Sequence, residues 1–311
     1  MDKAAELDRF RDYLRFGSDE EGPKGDSSVA AYLYTLQRFL SFLNGRQPDR
    51  ESVLAWAKQL LDDGNSASSV NRHIAALRSW FRSRGQELKI RGMKAIRKLP
   101  RRLEPQEWQK LLATVCEPLY NKDRPEVARV KALKERAILF LYVGGALRLS
   151  EGARLKKTDV RDEGYLRVLG KGAREETIPV DDAVLRGVRE YLATRHDDNP
   201  YLFPGKSPGS HISPNVIGDM IRDMAKRAGL AGVHPHTLRH TAGAILREMG
   251  VDARDMQDFM RHRDPSSTAL YTQMAKPLLR TRTRGIVTNG LQGALPLPER
   301  KEDNADQPEG V

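Results

Sequence analysis

The feature that most constrains the fold of this 311-residue chain is a run of apolar residues at positions 137–147. The run continues a helical pattern that begins near residue 131, so the predicted helix spans residues 131–147. A helix that crosses a bilayer needs about 20 apolar residues, and this run is too short. We therefore expect it to be a buried helix in the core of a soluble domain.

The pattern after this helix changes to strands and then returns to helices. Residues 165–169 and 176–180 flank a Gly-Lys-Gly turn at residues 170–172, which predicts a β-hairpin. Further helices are predicted at residues 182–195, 215–228, 235–249 and 252–260, and one more begins near residue 267. We expect this mixed α/β domain, mainly α with a small β-sheet, to cover residues 100–287. A disordered tail is expected at residues 288–311.

A smaller and wholly helical domain is predicted over residues 27–99. Its first helix follows the spacing of Leu36, Leu40 and Leu43. A second helix, at residues 51–61, has Val53 and Leu54 among its inward positions, and a third spans residues 68–83. Residues 1–26 end in a polar stretch that contains glycine, which predicts a loosely ordered lead-in.

Positive charge is concentrated in one stretch of the chain. Residues 72–102 contain eleven Lys and Arg residues and one Glu, whereas the net charge of the whole chain is +11. A local basic field suits a polyanion, because each phosphate that is neutralised releases condensed counterions. A solvated basic linker is the alternative explanation. The residues that we expect to bind double-stranded DNA are Arg72, Arg78, Arg82, Arg84, Lys94, Arg97 and Lys98.

The sequence also excludes several classes of protein. Cys116 is the single cysteine, so an internal disulfide framework and a cysteine-based zinc site are ruled out. The turn at residues 170–172 lacks the glycine spacing of a nucleotide-binding loop, and no carboxylate cluster indicates a two-metal nuclease. The amino terminus is charged and has no apolar signal segment. We therefore expect a cytoplasmic, nucleoid-associated protein without a membrane partner.

Two arginine motifs are candidates for one anion site. His236 and Arg239 are three residues apart at the start of a predicted helix, so they share a face near its positive end. Arg148 follows the apolar helix, and Glu151 can hold its guanidinium while leaving donors for a phosphate. Each motif also has an ordinary explanation, as residues on the surface of an amphipathic helix or as a surface ion pair.

A third motif lies near the end of the predicted helices. His262 ends one helix, and Tyr271 follows nine residues later inside the next. Taken alone, Tyr271 would be assigned to packing. The order and spacing of the whole set carry more information than any one member.

In that order and spacing, the residues resemble the catalytic domain of the tyrosine recombinase, or phage integrase, family. The resemblance extends over residues 27–285, because the small basic helical domain is similar to the core-binding domain of that family. Two positions depart from the family pattern, which usually has Gly in place of Ala146 and Leu-Gly in place of Met260-Arg261. The family's catalytic positions correspond to Arg148, Lys171, His236, Arg239, His262 and Tyr271.

The resemblance implies an enzyme that cuts and rejoins duplex DNA without a metal or a nucleotide cofactor. Tyr271 would attack the scissile phosphate, forming a 3′-phosphotyrosyl bond and releasing a 5′-hydroxyl. Arg148 and Arg239 would neutralise the transition state. His236 and His262 would donate hydrogen bonds or accept the tyrosine proton.

Three supporting roles complete the implied site. Lys171, at the hairpin tip, is the general acid for the 5′-oxygen, with Lys156 and Lys157 as less favoured alternatives. Glu151 orients Arg148. His240, directly after Arg239, supports the site without touching the phosphate.

The resemblance also implies how the protein assembles. The two domains would close around DNA as a C-shaped clamp, and four copies would act on two DNA sites. Residues 275–286 are the candidate segment for docking into a neighbouring copy, and DNA-bound accessory proteins are possible further partners. Without an obvious extra arm-binding domain, an Xer-like two-domain enzyme is favoured over the integrase of a mobile element, although both stay open. Two other functions stay open as well: relaxation of DNA by a type IB topoisomerase, and DNA binding by a catalytically silent protein.

Overall fold

The computed structural model describes residues 2–17, 22–94, 100–161, 163–170 and 175–261 of the chain. The chain divides into two compact units, Met1–Lys98 and Leu99–Val311. Both units are mainly helical, and one three-stranded antiparallel sheet lies among the described residues. The predicted fold class is confirmed.

An aromatic cluster joins three of the four helices described in the amino-terminal unit. The ring centroid of Phe39 lies 5.4 Å from that of Trp56 and 6.1 Å from that of Trp80. These three side chains come from three different helices, so their burial ties the helices together. The helices are α1 (Lys3–Phe16), α2 (Asp26–Leu43), α3 (Arg50–Asp62) and α4 (Ala67–Ser83).

The expectation of a loosely ordered lead-in at residues 1–26 is wrong for helix α1. The side chain of Asp2 caps this helix by accepting a hydrogen bond from the Ala4 N–H at 3.0 Å. Phe10 and Leu14 are each 1% exposed in the core of the unit. The indole N–H of Trp80 also donates to Glu6 at 3.2 Å. The many charged residues between the apolar ones conceal this amphipathic helix in the sequence.

Helix α3 is rotated relative to the prediction. Val53 is fully buried and Trp56 is 4% exposed, whereas Leu54 is 38% exposed. Turning the helix toward Trp56 brings the large indole against Phe39, and Leu54 then lies at the edge of the apolar stripe. Burial of the larger side chain decides the rotation.

The carboxy-terminal unit is built around helix α6, which contains most of the apolar run. Every residue from 137 to 147 is buried, as predicted. The helix ends at Gly144 and the chain turns at Gly145 and Ala146, so it ends three residues earlier than expected, and it begins five residues earlier, at Glu126. The described helices of this unit are α5 (Pro105–Tyr120), α6 (Glu126–Gly144), α7 (Leu149–Arg154), α8 (Asp182–Leu192), α9 (Pro214–Arg227), α10 (Pro235–Glu248) and α11 (Ala253–Met260), with a 3₁₀ turn at Lys157–Asp159.

The small sheet contains the predicted hairpin and one further strand. Strand β2 (Tyr165–Leu169) pairs antiparallel with β3 (Glu175–Pro179), with Leu166 opposite Ile178. The short strand β1 (Val160–Arg161), which the sequence pattern did not reveal, pairs with the other edge of β2. The hairpin tip at residues 171–174 lies outside the described residues. None of the described helices is long and apolar enough to cross a membrane.

Candidate active site

Helix α7 places Arg148 directly after the turn that ends α6. The hydroxyl of Tyr142 donates to the carbonyl of Leu149 at 2.8 Å, which joins the two helices. Gly152 allows the close approach, because a Cβ at this position would lie 2.5 Å from the hydroxyl oxygen of Tyr142. Arg148 is the residue before α7, and its backbone conformation is extended. Packing of α7 on α6 thus fixes the position of the Arg148 backbone.

Glu151 holds Arg148 as the sequence predicts. One carboxylate oxygen accepts from the backbone N–H of Arg148 at 2.8 Å, and the other accepts from its guanidinium at 2.6 Å. The side chain of Glu151 is 3% exposed, whereas that of Arg148 is 39% exposed. A buried carboxylate therefore orients an arginine that still reaches solvent.

Arg239 lies on helix α10 and is buried. Leu238, Ala242 and Leu246 are fully buried, and they fix the rotation of this helix in the core. Arg239 is 5% exposed, and its guanidinium donates to the backbone carbonyls of Ala146 and Met260. The helix therefore brings Arg239 to the turn that precedes Arg148.

Arg148 and Arg239 meet at the end of helix α11. The guanidinium of Arg148 donates to the carbonyl of Arg261 at 2.6 Å, and that of Arg239 donates to the preceding carbonyl, of Met260. Each of these two adjacent carbonyl oxygens thus accepts a hydrogen bond from one of the two arginines. The structure brings together the two arginines that the sequence assigned to one anion.

A third arginine, Arg261, belongs to the same cluster and was not predicted. Its guanidinium donates to Glu151 at 2.8 Å and to the carbonyl of Ala146 at 2.9 Å. The residue has φ 52°, in the left-handed region, where most side chains are disfavoured. Position 261 departs from the family pattern, in which glycine is usual, and that departure was the signal in the sequence that could have identified it.

The charges of the cluster shift the ionisation of its members. Burial alone would raise the pKa of Glu151, but Arg261 and Arg148 outweigh it and hold the pKa below its ordinary value. Burial, then the nearby Arg261 and Arg148, lower the pKa of Arg239 to about 10. Arg261 is also 3.9 Å from the carboxylate of Glu176. The three guanidinium groups thus lie near two carboxylates, those of Glu151 and Glu176. This excess of positive charge favours the binding of an anion.

The histidines of helix α10 lie at its amino-terminal end. His236 is exposed, and its ring centroid is 6.2 Å from that of His234. His240 is half-buried, and burial, followed by His236, Arg239 and His234, lowers its pKa. The predicted positions of His236 and His240 are therefore on the same helix end as Arg239, but the structure gives no hydrogen bond from either ring to the arginine cluster.

Three predicted catalytic residues, Lys171, His262 and Tyr271, lie outside the described residues. Of the alternatives to Lys171, Lys157 donates through its ammonium to the carbonyl of Asp197 at 2.8 Å. Lys156 is exposed. Within the described residues there is no group of three or more His, Cys, Asp or Glu placed to hold a metal ion.

The amino-terminal unit carries a groove with basic walls. Arg78 and Arg82 line it together with Arg50, Lys89 and Arg91. Arg50 was not predicted, because it lies outside the basic stretch in the sequence and reaches the groove from the start of α3.

The other predicted DNA-binding residues are distributed differently. Arg72 and Lys94 are exposed, whereas Arg84 lies 3.4 Å from Glu6 and over the ring of Trp80. Arg84 therefore has contacts within its own unit. Arg97 and Lys98 lie outside the described residues.

The described residues thus form two mainly helical units, one of which contains a small sheet and a cluster of three arginines. The chain belongs to the phage integrase family, whose model matches residues 101–277, and the phage integrase N-terminal SAM-like domain matches residues 7–87. The family prediction from the motif order is confirmed.

The relatives and a solved structure agree with this assignment. The chain is 32% identical to tyrosine recombinase XerA of Thermococcus onnurineus, over 88% of this chain and 92% of the relative. It is 34% identical to tyrosine recombinase XerC of Xylella fastidiosa, over 73% of this chain and 76% of the relative. The fold is similar to that of a Tn1549 transposon integrase solved with circular intermediate DNA, with TM-score 0.64 and 15% identity, covering 88% of this chain and 98% of that one. The prediction of a tyrosine recombinase enzyme is thereby confirmed.

Proposed function

We propose that this protein is a site-specific recombinase that cuts and rejoins duplex DNA through Tyr271. The observation that carries the proposal is the convergence of Arg148 and Arg239 on two adjacent oxygen atoms at the end of α11. The two non-bridging oxygens of a phosphodiester can accept hydrogen bonds from the same two guanidinium groups. A bidentate pair of arginines suits such an anion in both charge and shape.

The cleavage step then follows from the charges. The hydroxyl oxygen of Tyr271 attacks the phosphorus atom, and the bond to the 5′-oxygen breaks. Negative charge grows on the non-bridging oxygens, where Arg148 and Arg239 neutralise it. A tyrosine has an ordinary pKa of about 10, so His236 or His262 accepts its proton at neutral pH. Lys171 donates a proton to the leaving 5′-oxygen.

Rejoining is the reverse of this step with a different hydroxyl. A 5′-hydroxyl of the partner strand attacks the phosphotyrosyl bond, and Tyr271 leaves. The phosphotyrosine retains the energy of the broken phosphodiester bond. For this reason, the exchange requires no nucleotide hydrolysis. Arg148 and Arg239 supply the positive charge that a metal ion supplies in other phosphoryl-transfer enzymes, so no metal ion is required.

The partner is double-stranded DNA, and the basic face of the amino-terminal unit supplies the sequence-independent part of the binding. The contacting residues are Arg72, Arg78 and Arg82, joined by Arg50 in the groove. Their phosphate contacts fix the register on the duplex. Four copies act on two sites, with residues 275–286 docking into a neighbour; this segment lies outside the described residues. The protein acts at the nucleoid.

The experiment that tests the proposal captures the covalent intermediate. DNA crosslinked to the protein in cells is sequenced, and the recovered sequence is rebuilt as a nicked duplex from which the cleaved strand cannot be rejoined. The wild-type protein should form a covalent adduct on this duplex, and Tyr271→Phe should form none. Absence of the wild-type adduct on every recovered sequence would refute the proposal.

A second assay separates recombination from simple relaxation. A plasmid with two copies of the recovered site should yield recombined circles, whereas a plasmid without the site should keep its supercoils. Relaxation of both plasmids without recombined products would indicate a topoisomerase instead.

A further inference from the structure

Arg261 occupies a backbone position that suits glycine. It caps helix α11 with φ 52° and ψ 41°, the left-handed conformation. A Cβ is disfavoured there, so Gly or Asn is the usual residue at such a helix end. An arginine at this position needs compensation from its side-chain contacts.

The side chain of Arg261 makes those contacts in the centre of the site. It donates to the carbonyls of Phe259 and Gly145 at 3.0 and 3.3 Å, in addition to the carbonyl of Ala146 and the carboxylate of Glu151. The side chain is 5% exposed. The two terminal nitrogens of the Arg261 guanidinium are thus directed at oxygen atoms of the protein itself.

The contacts with Gly145, Ala146 and Glu151 support Arg148. The Gly145 and Ala146 carbonyls form the turn two residues before Arg148, and Glu151 is the carboxylate that orients its guanidinium. The backbone carbonyl of Arg261 accepts directly from Arg148. Loss of the Arg261 side chain would leave the Ala146 carbonyl with Arg239 alone and Glu151 with Arg148 alone, so both would be held less firmly.

We propose that Arg261 is a positioning residue for DNA cleavage, which acts by holding the turn at residues 145–146 and Glu151 so that Arg148 faces the scissile phosphate. This inference rests on the proposed function. Arg261 therefore contributes to the reaction through Arg148. The expected consequence is a loss of cleavage rate without a loss of DNA affinity.

The test compares Arg261→Gly and Arg261→Lys with the wild type on the nicked duplex described above. Glycine relieves the backbone and removes the contacts, so cleavage at saturating DNA should slow by about 10- to 100-fold, as expected for a misplaced catalytic group. Lysine keeps the charge and can still reach Glu151, so the cleavage rate of Arg261→Lys should lie between those of the wild type and Arg261→Gly. The DNA concentration for half-maximal rate should change by less than about twofold, because most affinity comes from phosphate contacts elsewhere.

Two further measurements separate positioning from simple loss of folding. In the first, a methylphosphonate replaces the scissile phosphate and removes its charge. The defect of Arg261→Gly should then shrink to about twofold or less for at least one stereoisomer, since there is less charge for Arg148 to neutralise. In the second, Arg261→Gly is added to Arg148→Ala, where it should slow cleavage by no more than about twofold because the residue on which it acts is absent.

The matched control is Arg195, another buried arginine that binds backbone carbonyls. Its side chain is 6% exposed and donates to the carbonyls of Tyr201 and Leu202 at 2.7 and 2.8 Å. Arg195→Gly and Arg195→Lys should cleave at the wild-type rate.

Several results would overturn the inference. They are a wild-type rate for Arg261→Gly, an equal defect on phosphate and methylphosphonate, an additive defect with Arg148→Ala, or an equal defect in the Arg195 variants. Any of them, with a wild-type adduct present, leaves the proposed function standing. Absence of the wild-type adduct overturns both.

Discussion

The two units use arginine in opposite ways. In the amino-terminal unit, Arg72 and Arg82 are exposed on one face of α4, and Arg78 is half-buried beside them. In the carboxy-terminal unit, Arg239 and Arg261 are buried and both donate to the carbonyl of Ala146, and Arg261 also donates to the carboxylate of Glu151. Surface charges are screened by salt, whereas buried charges are screened much less. The first arrangement favours affinity for a polyanion, and the second favours a fixed geometry.

The burial of the second group also makes it dependent on its partners. A buried charge that loses its partner is strongly destabilising, whereas a surface ion pair contributes little. Glu151 is therefore more important to the carboxy-terminal unit than the exposed Glu87, which lines the basic groove, is to the other unit. Affinity and catalysis should consequently respond to different substitutions.

The largest expected effect is from Arg239→Lys. Lysine keeps the positive charge but cannot reproduce the planar fork that reaches both Ala146 and Met260. Adduct formation should slow by about 100- to 1000-fold, the usual effect of removing one preorganised donor. DNA affinity, measured by fluorescence anisotropy with the Tyr271→Phe variant as background, should stay nearly constant. A large loss of affinity with normal adduct formation would remove the distinction between the two units.

A smaller effect is expected from the basic face of the amino-terminal unit. Replacement of Arg72, Arg78 and Arg82 by Gln should weaken DNA binding by about 10- to 100-fold at moderate salt. The slope of log affinity against log salt should fall by about 2 to 3, because each lost phosphate contact contributes about 0.9. Adduct formation at saturating DNA should equal that of the wild type. An unchanged salt slope would show that these arginines do not contact phosphates.

The smallest effect concerns one histidine in each unit. Burial is the main cause that lowers the pKa of His73, aided by Arg38 and Arg72, and burial likewise lowers that of His240. A lowered pKa means that the unfolded chain binds the proton more readily. The resulting stabilisation is full above the ordinary value of 6.5 and is lost as the pH falls through the folded value.

Denaturant unfolding between pH 7.5 and 5 would measure this effect in both units. The free energy of unfolding should decrease toward pH 5. We expect this change to be smaller than the changes in adduct formation and in DNA affinity that are predicted above. His73→Gln should flatten the profile of the amino-terminal unit and His240→Gln that of the carboxy-terminal unit. A wild-type profile that rises toward pH 5 would contradict both assignments.

The sequence predicted what depends on periodicity and motif order. The buried run at residues 137–147 and the hairpin were recognisable because apolar spacing reports directly on burial. The pairing of Arg148 with Glu151 followed from their separation by three residues. These features are local, or they depend on a pattern that one segment carries alone.

What the sequence did not reveal depends on contacts between distant segments. Helix α1 is stabilised by its packing against Trp80, and Arg50 reaches the basic groove from a different helix. Arg261 lies more than a hundred residues after Glu151 in the chain. No spacing rule connects such positions, because only the tertiary fold brings them together.

Side chains at both left-handed turns limit how this protein can diverge. Ala146, with φ 42°, and Arg261 are the two non-glycine residues with positive φ in the described part of the carboxy-terminal unit, and they are hydrogen-bonded to each other. A glycine at position 146 would relieve the backbone and keep its carbonyl. A glycine at position 261 would remove one of the two arginine donors to that carbonyl and a donor to Glu151, so the second exchange should be tolerated only alongside compensating changes around Glu151. A chimera that takes one of these turns from a relative should therefore take both, the turn at Ala146 and the turn at Arg261.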